Sequence, residues 1–436
     1  KLPDIRGASA LLDRINLVDL PAFFNKPPEA NLYKIHCSQV REWLDENFPN
    51  QPKLSEALIP ELIIYSTGGN ILAFCPAAFA HILADAIEKR YTEQTLTANS
   101  CAVGDTFRLL EIRFGLLRDK IEETPWLDWY GEKFEEKLVQ AYFGDLKKKP
   151  NEPCLADPSD IKEAFQNRKS FNEITTKLAV KFNQRRSGND FDRRPTRRYP
   201  PMFETHPYLR RDEGDRRCAI TQAIDSPNDP NKKGLPGNPW FSEASARKRK
   251  AGDRAKKGRI KETHWYTEWH PDVILGWVDK FEEFLEKNSD LHDRYYGNLT
   301  ENEVKISQSL TQLGKVSNGF VAYIYADGNN MGGFIQNIRR PQEYKEFSED
   351  VSNATEYAVY QALAKNLHPR KLKEISEKEA TLQDGDVIHP FEIISIGGDD
   401  IILIVPADKA LEIAKAIGEQ FEKILLKEVP VVGVEI

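Results

Sequence analysis

Close cysteine pairs are missing from this chain: its five cysteines, Cys37, Cys75, Cys101, Cys154 and Cys218, stand far apart and no CxxC occurs. That argues against a disulfide framework and fits a reducing cytoplasm. It also argues against structural zinc, because Cys154, His206 and Cys218 are ligand types without the close pairing that zinc sites use. No apolar run has the length needed to cross a bilayer, and no basic-then-apolar stretch opens the chain, so no membrane partner and no signal peptide are expected. An overall basic charge is lacking too: the net charge of -7 and pI near 5.8 do not mark a nucleic-acid binder. Local basic clusters nevertheless run through Arg185 to Arg217 and Arg247 to Lys261. Residue 1 is Lys rather than Met, and Val431 to Ile436 reads as a strand on which the sequence stops, so trimming at either end is expected.

The 436 residues suffice for two or three domains with sizeable cores. The most concentrated motif is Gly397-Gly398-Asp399-Asp400, between the apolar runs Phe391 to Ile396 and Ile401 to Val405. Two strand-like segments joined through two glycines predict a tight β-hairpin with the carboxylates at its tip. Two like charges side by side there need a cation between them, which points to a divalent metal site. Upstream, Gly319 to Ala326 reads as a buried strand ending in Asp327-Gly328-Asn329-Asn330-Met331-Gly332-Gly333, with a helical pattern from Phe334 onward. Such a turn delivers a carboxylate to the sheet edge beside backbone groups suited to phosphate. The spacing predicts a βα…ββ unit in which Asp327 meets Asp399 and Asp400, the polymerase and nucleotidyl-cyclase arrangement. In it two Mg²⁺ ions activate a ribose hydroxyl and stabilise leaving pyrophosphate.

The hairpin has an echo. Leu62 to Ala77 can be laid over Ile393 to Ala407 with small gaps, and helix-period patterns follow over Ala80 to Tyr91 and Ala410 to Leu425. The first copy carries Gly68-Gly69-Asn70 where the second carries the acidic pair, which predicts two similar folds, one stripped of its metal carboxylates. Between them, Trp126 to Lys149 has a helical pattern, Arg185 to Gly237 reads as loop or insertion, Glu243 to Lys261 as a charged helix, and Val273 to Glu286 as an amphipathic helix of a middle domain.

Tyr325 to Gly332, Ile396 to Asp400, the degenerate Gly68-Gly69-Asn70 and Phe241-Ser242-Glu243-Ala244-Ser245-Ala246 together resemble the large, Palm-domain subunit of type III CRISPR effector complexes (the Csm/Cmr large subunit). The resemblance implies an α+β chain of two ferredoxin-like Palm domains, similar to nucleotidyl cyclases, separated by a mainly helical, loop-rich middle domain. The expected division is 1–125, 126–315 with a possible remnant zinc ribbon, and 316–436. It further implies an antiviral, RNA-activated cytoplasmic enzyme that converts ATP to cyclic oligoadenylates with Mg²⁺ or Mn²⁺. Its partners would be guide crRNA, target RNA and other effector-complex subunits. Carried over by position, Asp327, Asp399 and Asp400 would be catalytic metal ligands, and Gly328, Asn330, Gly397 and Gly398 would approach the nucleotide.

Three departures from the family pattern stand out. Asn329 replaces the second acidic residue of a DxD turn, the zinc-ribbon cysteines are reduced to Cys154 and Cys218, and the chain opens on Asp4-Ile5-Arg6-Gly7-Ala8-Ser9 with no HD nuclease cluster. The single His-Asp dipeptide, His292-Asp293, has no partner cluster. Alternative readings are a catalytically silent scaffold of the same ribonucleoprotein and a stand-alone diguanylate-type cyclase. Arg193 to Arg198 and Arg247 to Lys261 are candidate phosphate-tracking segments, with Tyr199 and Tyr208 as candidate stacking residues. RNA binding is expected to reposition the two Palms so that two ATP molecules meet.

Overall fold

The computed structural model of the chain describes residues 2–26, 31–116, 132–133, 136–137, 170–189, 194, 208–229, 232–257, 264–271, 273–329, 331–336, 338–374 and 382–426. Helix α1 (Leu2–Arg14) continues through a π-helical turn (Ile15–Asp19) into Leu20–Phe23. Helix α2 (Asn31–Asn47) leads to the hairpin of β1 (Ile63–Thr67) and β2 (Asn70–Ala73), followed by α3 (Ala80–Thr95). Next come α4 (Phe171–Arg186), α5 (Glu243–Lys257), α6 (Trp277–Glu286) and α7 (Ser289–Tyr296). Strand β3 (Val321–Ala326), helix α8 (Pro341–Asn366), the hairpin of β4 (Glu392–Gly397) and β5 (Asp400–Pro406), and α9 (Ala410–Leu425) complete the order. Helices and small, mainly antiparallel sheets are segregated, an α+β architecture. The strand expected over Val431 to Ile436 and the helical pattern from Trp126 to Lys149, apart from 132–133 and 136–137, lie outside the described residues.

In the second half, β3, β5 and β4 form one antiparallel sheet in that order. Period-two alternation turns Ile401, Leu403 and Val405 to one face, where they enter a core with Ala358 and Leu363 of α8 and Ile413 and Ile417 of α9. Trp277, Phe281 and Phe284 of α6 are buried in that same core. The amphipathic stripe expected to pack within a middle domain therefore packs against the second sheet's helices. A separate core holds Ile15, Phe23, Leu44, Ile63 and Leu83 around the first hairpin.

The two hairpins are repeats without gaps. Residues 64 and 394 are the extra, bulged residues of β1 and β4, Thr67↔Asn70 and Gly397↔Asp400 close the turns, and the helices run 80–95 and 410–425. Every correspondence is separated by 330 residues (64 to 394, 70 to 400, 80 to 410, 95 to 425), so the small gaps expected from sequence do not occur. The bulge re-aims each strand three residues before its turn.

Three kinds of contact join the halves. Tyr65 of β1 stacks on Tyr344 of α8 with ring centroids 6.0 Å apart. Helix α1 crosses α5 where Gly7 meets Gly252: a Cβ on Gly7 would stand 2.7 Å from the Lys248 carbonyl carbon and 2.8 Å from the Gly252 nitrogen. Finally, α1 runs along β4: Arg6 donates to Glu392 Oε1, and Ser9 Oγ lies 2.7 Å from Ser395 Oγ. Glu392 is buried and also accepts from Lys256 Nζ at 2.8 Å, so one carboxylate ties α1, α5 and β4 together.

These ties bear on Arg247 to Lys261, the expected phosphate-tracking segment, of which 258–261 lie outside the described residues. Within α5, Lys250 and Lys256 are buried, Lys250 donating to the carbonyls of Tyr266 and Trp269; Arg254 donates to the Ile274 carbonyl, and Arg247 pairs with Glu243 at 2.5 Å. A buried cation must be paired or hydrogen-bonded, and this helix spends much of its charge inside the protein. Of Arg193 to Arg198, Arg194 is described; it pairs with Asp85 at 2.9 Å. Tyr208 is exposed, whereas Tyr199 lies outside the described residues.

Candidate active site

The register of β3 on β5 runs from Val321↔Pro406 to Ala326↔Ile401, and one further step sets Asp327 opposite Asp400. Both carboxylates thus cap neighbouring strands at one end of the sheet. Asp399 stands in the turn itself, with Gly398 at φ +61°, while Asp400 begins β5. The tip is therefore Gly398-Asp399, narrower than a turn of four residues. Gly328 packs against it so closely that a Cβ there would lie 2.7 Å from both Cβ and Oδ2 of Asp399. Burial, then the neighbouring Asp327 and Asp400 charges, push the Asp399 carboxyl above its ordinary range.

Like charges facing each other across a strand pair destabilise it, and here three carboxylates share one corner. Tyr325 relieves part of that cost: its hydroxyl donates to Asp400 Oδ1 at 3.2 Å. Asp400 chiefly, then Asp327 and Asp399, push the Tyr325 phenol up in turn, so it stays a donor. Among the described residues no group of three or more His, Cys, Asp or Glu side chains is arranged as a ready metal site. The backbone thus brings Asp327, Asp399 and Asp400 together, while their side chains do not converge on one point. The donor set, all carboxylate oxygen with an unfavourable mutual charge, fits a hard divalent cation. Asn330 lies outside the described residues. Cys154 and His206 do as well, whereas Cys218 is described, half-buried and in no disulfide.

The glycine tips of the two hairpins face one another: a Cβ on Gly398 would lie 3.4 Å from the Gly68 Cα. Asp13 of α1 reaches the same corner, its Oδ1 3.7 Å from where a Gly397 Cβ would be, and burial pushes its carboxyl up to about 6 against the opposing Lys280 charge. Asp13, Ser9 and Tyr325 were not read as site residues from the sequence. For Tyr325 a signal existed, since VAYIYA alternates and places both tyrosines on one face. That strand was expected to be buried, but it stands at the sheet's edge among the described residues, with Tyr323 and Tyr325 largely exposed.

A strand-ending Asp beside a glycine-turned acidic hairpin, on an antiparallel sheet covered by two helices, defines a nucleotidyl-cyclase-like palm. Residues 320–432, about a quarter of the chain, match the family model for Cas10/Cmr2, second palm domain. This stretch is thus similar to the second palm domain of that family, consistent with a large subunit of type III CRISPR effector complexes. A search of curated proteins returned no match. No described helix is long and apolar enough to cross a membrane.

The Gly328 contact yields a direct prediction. Gly328→Ala needs no unusual backbone angle, yet its methyl group must push Asp399 away. Displacements of this size at a reacting centre cost about 10²-fold in rate. Nucleotidyl transfer by Gly328→Ala is expected to fall by that order with the melting temperature nearly unchanged; unaltered turnover would show that Asp399 is not held by this contact.

Proposed function

We propose that this chain converts ATP to cyclic oligoadenylates by divalent-metal-dependent nucleotidyl transfer, as the large subunit of an RNA-guided effector complex in the cytoplasm, when target RNA is paired to the guide. The observation that carries this reading is Asp327 set opposite Asp400 by register, with Asp399 pressed against Gly328 between them. Asp327, Asp399 and Asp400 would hold Mg²⁺ or Mn²⁺, which when bound neutralises these charges and polarises the reacting oxygens. Gly328, Gly397 and Gly398 leave backbone open to the triphosphate, and the Tyr325 hydroxyl orients Asp400. The 3′-hydroxyl of one ATP attacks the α-phosphate of the next, the P–O bond to pyrophosphate breaks and pyrophosphate leaves, and the hydroxyl proton passes to water as the new phosphodiester forms.

Buried ties from Arg6 and Lys256 to Glu392 hold the halves together. RNA binding would reposition the two tips relative to one another so that two ATP molecules meet, about these buried ties.

The test is to incubate the assembled complex with guide, matching target RNA, labelled ATP and Mg²⁺ or Mn²⁺, beside an Asp399→Ala/Asp400→Ala version. Cyclic oligoadenylates from the parent, reduced about 10³-fold or more in the variant, are expected. No product from either, with target RNA bound, would leave the chain a scaffold.

A further inference from the structure

We propose that Tyr325 is the base-stacking residue of the acidic tip, a specificity-determining contact for the purine of a nucleoside triphosphate; this rests on the nucleotidyl-transfer reading above. Three observations converge on it. First, position: Tyr325 lies on β3 two residues before Asp327, which directly follows the strand, ~6.7 Å away at the usual rise. That separation is comparable with the reach from the α-phosphate of a nucleotide to its base, so phosphates at the carboxylates bring a base over this ring. Second, exposure: the Tyr325 side chain is 67% exposed, and Tyr323, two residues further on the same face, is 62% exposed. A single exposed aromatic needs no explanation, but two in a row leading away from a charged tip form a stripe with one polar end.

Third, order. An exposed tyrosine ordinarily samples several rotamers, whereas here the hydroxyl is tied to Asp400 Oδ1 at 3.2 Å, which sets the ring beside the tip before a ligand arrives. A platform ordered in advance loses less entropy on binding. The register also sets Tyr325 opposite Ile402 and Tyr323 opposite Ile404 on the neighbouring strand. Stacking accepts any base through its π face and strengthens with ring area, so a single ring here favours purines over pyrimidines without reading a hydrogen-bond pattern.

The test separates base from phosphate. Equilibrium binding to the full chain in Mn²⁺ is measured for a non-hydrolysable ATP analogue, the corresponding UTP analogue and inorganic tripolyphosphate, with wild type, Tyr325→Phe, Tyr325→Leu and Asp399→Asn/Asp400→Asn. Tyr325→Leu is expected to weaken the ATP analogue about 5- to 100-fold, to leave tripolyphosphate unchanged, and to flatten the purine-over-pyrimidine preference. Tyr325→Phe, which keeps the ring and loses the tie to Asp400, is expected to weaken the ATP analogue less than Tyr325→Leu and to keep the purine-over-pyrimidine preference. Because the side chain is mostly exposed, thermal unfolding of both variants should match wild type. Equal weakening of tripolyphosphate and ATP analogue by Tyr325→Leu, or the same loss in Tyr325→Phe, would overturn stacking and reduce Tyr325 to a partner of Asp400. Binding that needs the two aspartates but ignores Tyr325 would overturn this proposal alone. No binding sensitive to the aspartates would overturn it together with the nucleotidyl-transfer reading.

Discussion

Glu392→Ala is expected to destabilise the chain by about 3–5 kcal/mol, the cost of taking a shared carboxylate away from two buried cations. Glu392 is 2% exposed, Arg6 3% and Lys256 5%, and the one carboxylate faces both cations. Removing it takes a shared counter-charge from two buried cations between α1, α5 and β4, with Asp253 and Asp4 still acting on Arg6. A drop in the unfolding midpoint should therefore be accompanied by loosening of β4, which ends at Gly397. The size of the effect comes from these buried cations, not from a large net gain of the intact cluster. Replacing all three residues together, Arg6→Leu, Lys256→Met and Glu392→Leu, should thus recover most of the loss. Denaturation of single and triple variants checks this; a triple variant as unstable as Glu392→Ala would show that shape at this crossing matters more than charge.

The sequence displayed the local turns better than it displayed the frame. Apolar runs flanking two glycines can hardly be anything but a hairpin, and a strand closing on Asp327-Gly328 announces its own end, so the three carboxylates were legible from residue type alone. Their order in the sheet was not: β5 lies between β3 and β4, and nothing local states which strand takes the centre. The repeat was legible because Gly68 and Gly398, Pro76 and Pro406, and Ala80 and Ala410 keep the same spacing; its gap-free register emerged only when the bulges at Ile64 and Ile394 were seen to coincide.

Charge was the misleading signal. A run such as Arg247 to Lys257 looks solvated because charged residues seldom enter a core. Burial of Lys250 and Lys256 depends on acceptors far away in sequence, the carbonyls of Tyr266 and Trp269 and the carboxylate of Glu392. No window around α5 contains that information. The same holds for Ser9 and Asp13, which approach β4 only because α1 lies along it.

Why α1 lies there is tested by the remaining glycines. Gly7→Ala and Gly252→Ala are each expected to destabilise by about 3 kcal/mol. In an ordinary helix the same change stabilises, because alanine loses less chain entropy on folding. At this crossing the added methyl group meets main-chain atoms: from Gly7 the Lys248 carbonyl and the Gly252 nitrogen, and from Gly252 the Gly7 nitrogen at 3.1 Å and the Pro3 carbonyl. Backbone cannot rotate aside as a side chain can, so α1 and α5 must part, and Arg6 is then drawn away from Glu392. Gly418 in α9 is the internal control. A Cβ there meets nothing within 4 Å, so Gly418→Ala should raise stability by roughly 0.5–1 kcal/mol. Opposite signs at Gly7 and Gly418, read as melting-temperature shifts on the full chain, would establish the close helix crossing as the feature that sets α1 along β4. A Gly7→Ala protein as stable as wild type would mean that the crossing relaxes at no cost, and that the remaining contacts, the charges at Glu392 among them, hold the two halves in place.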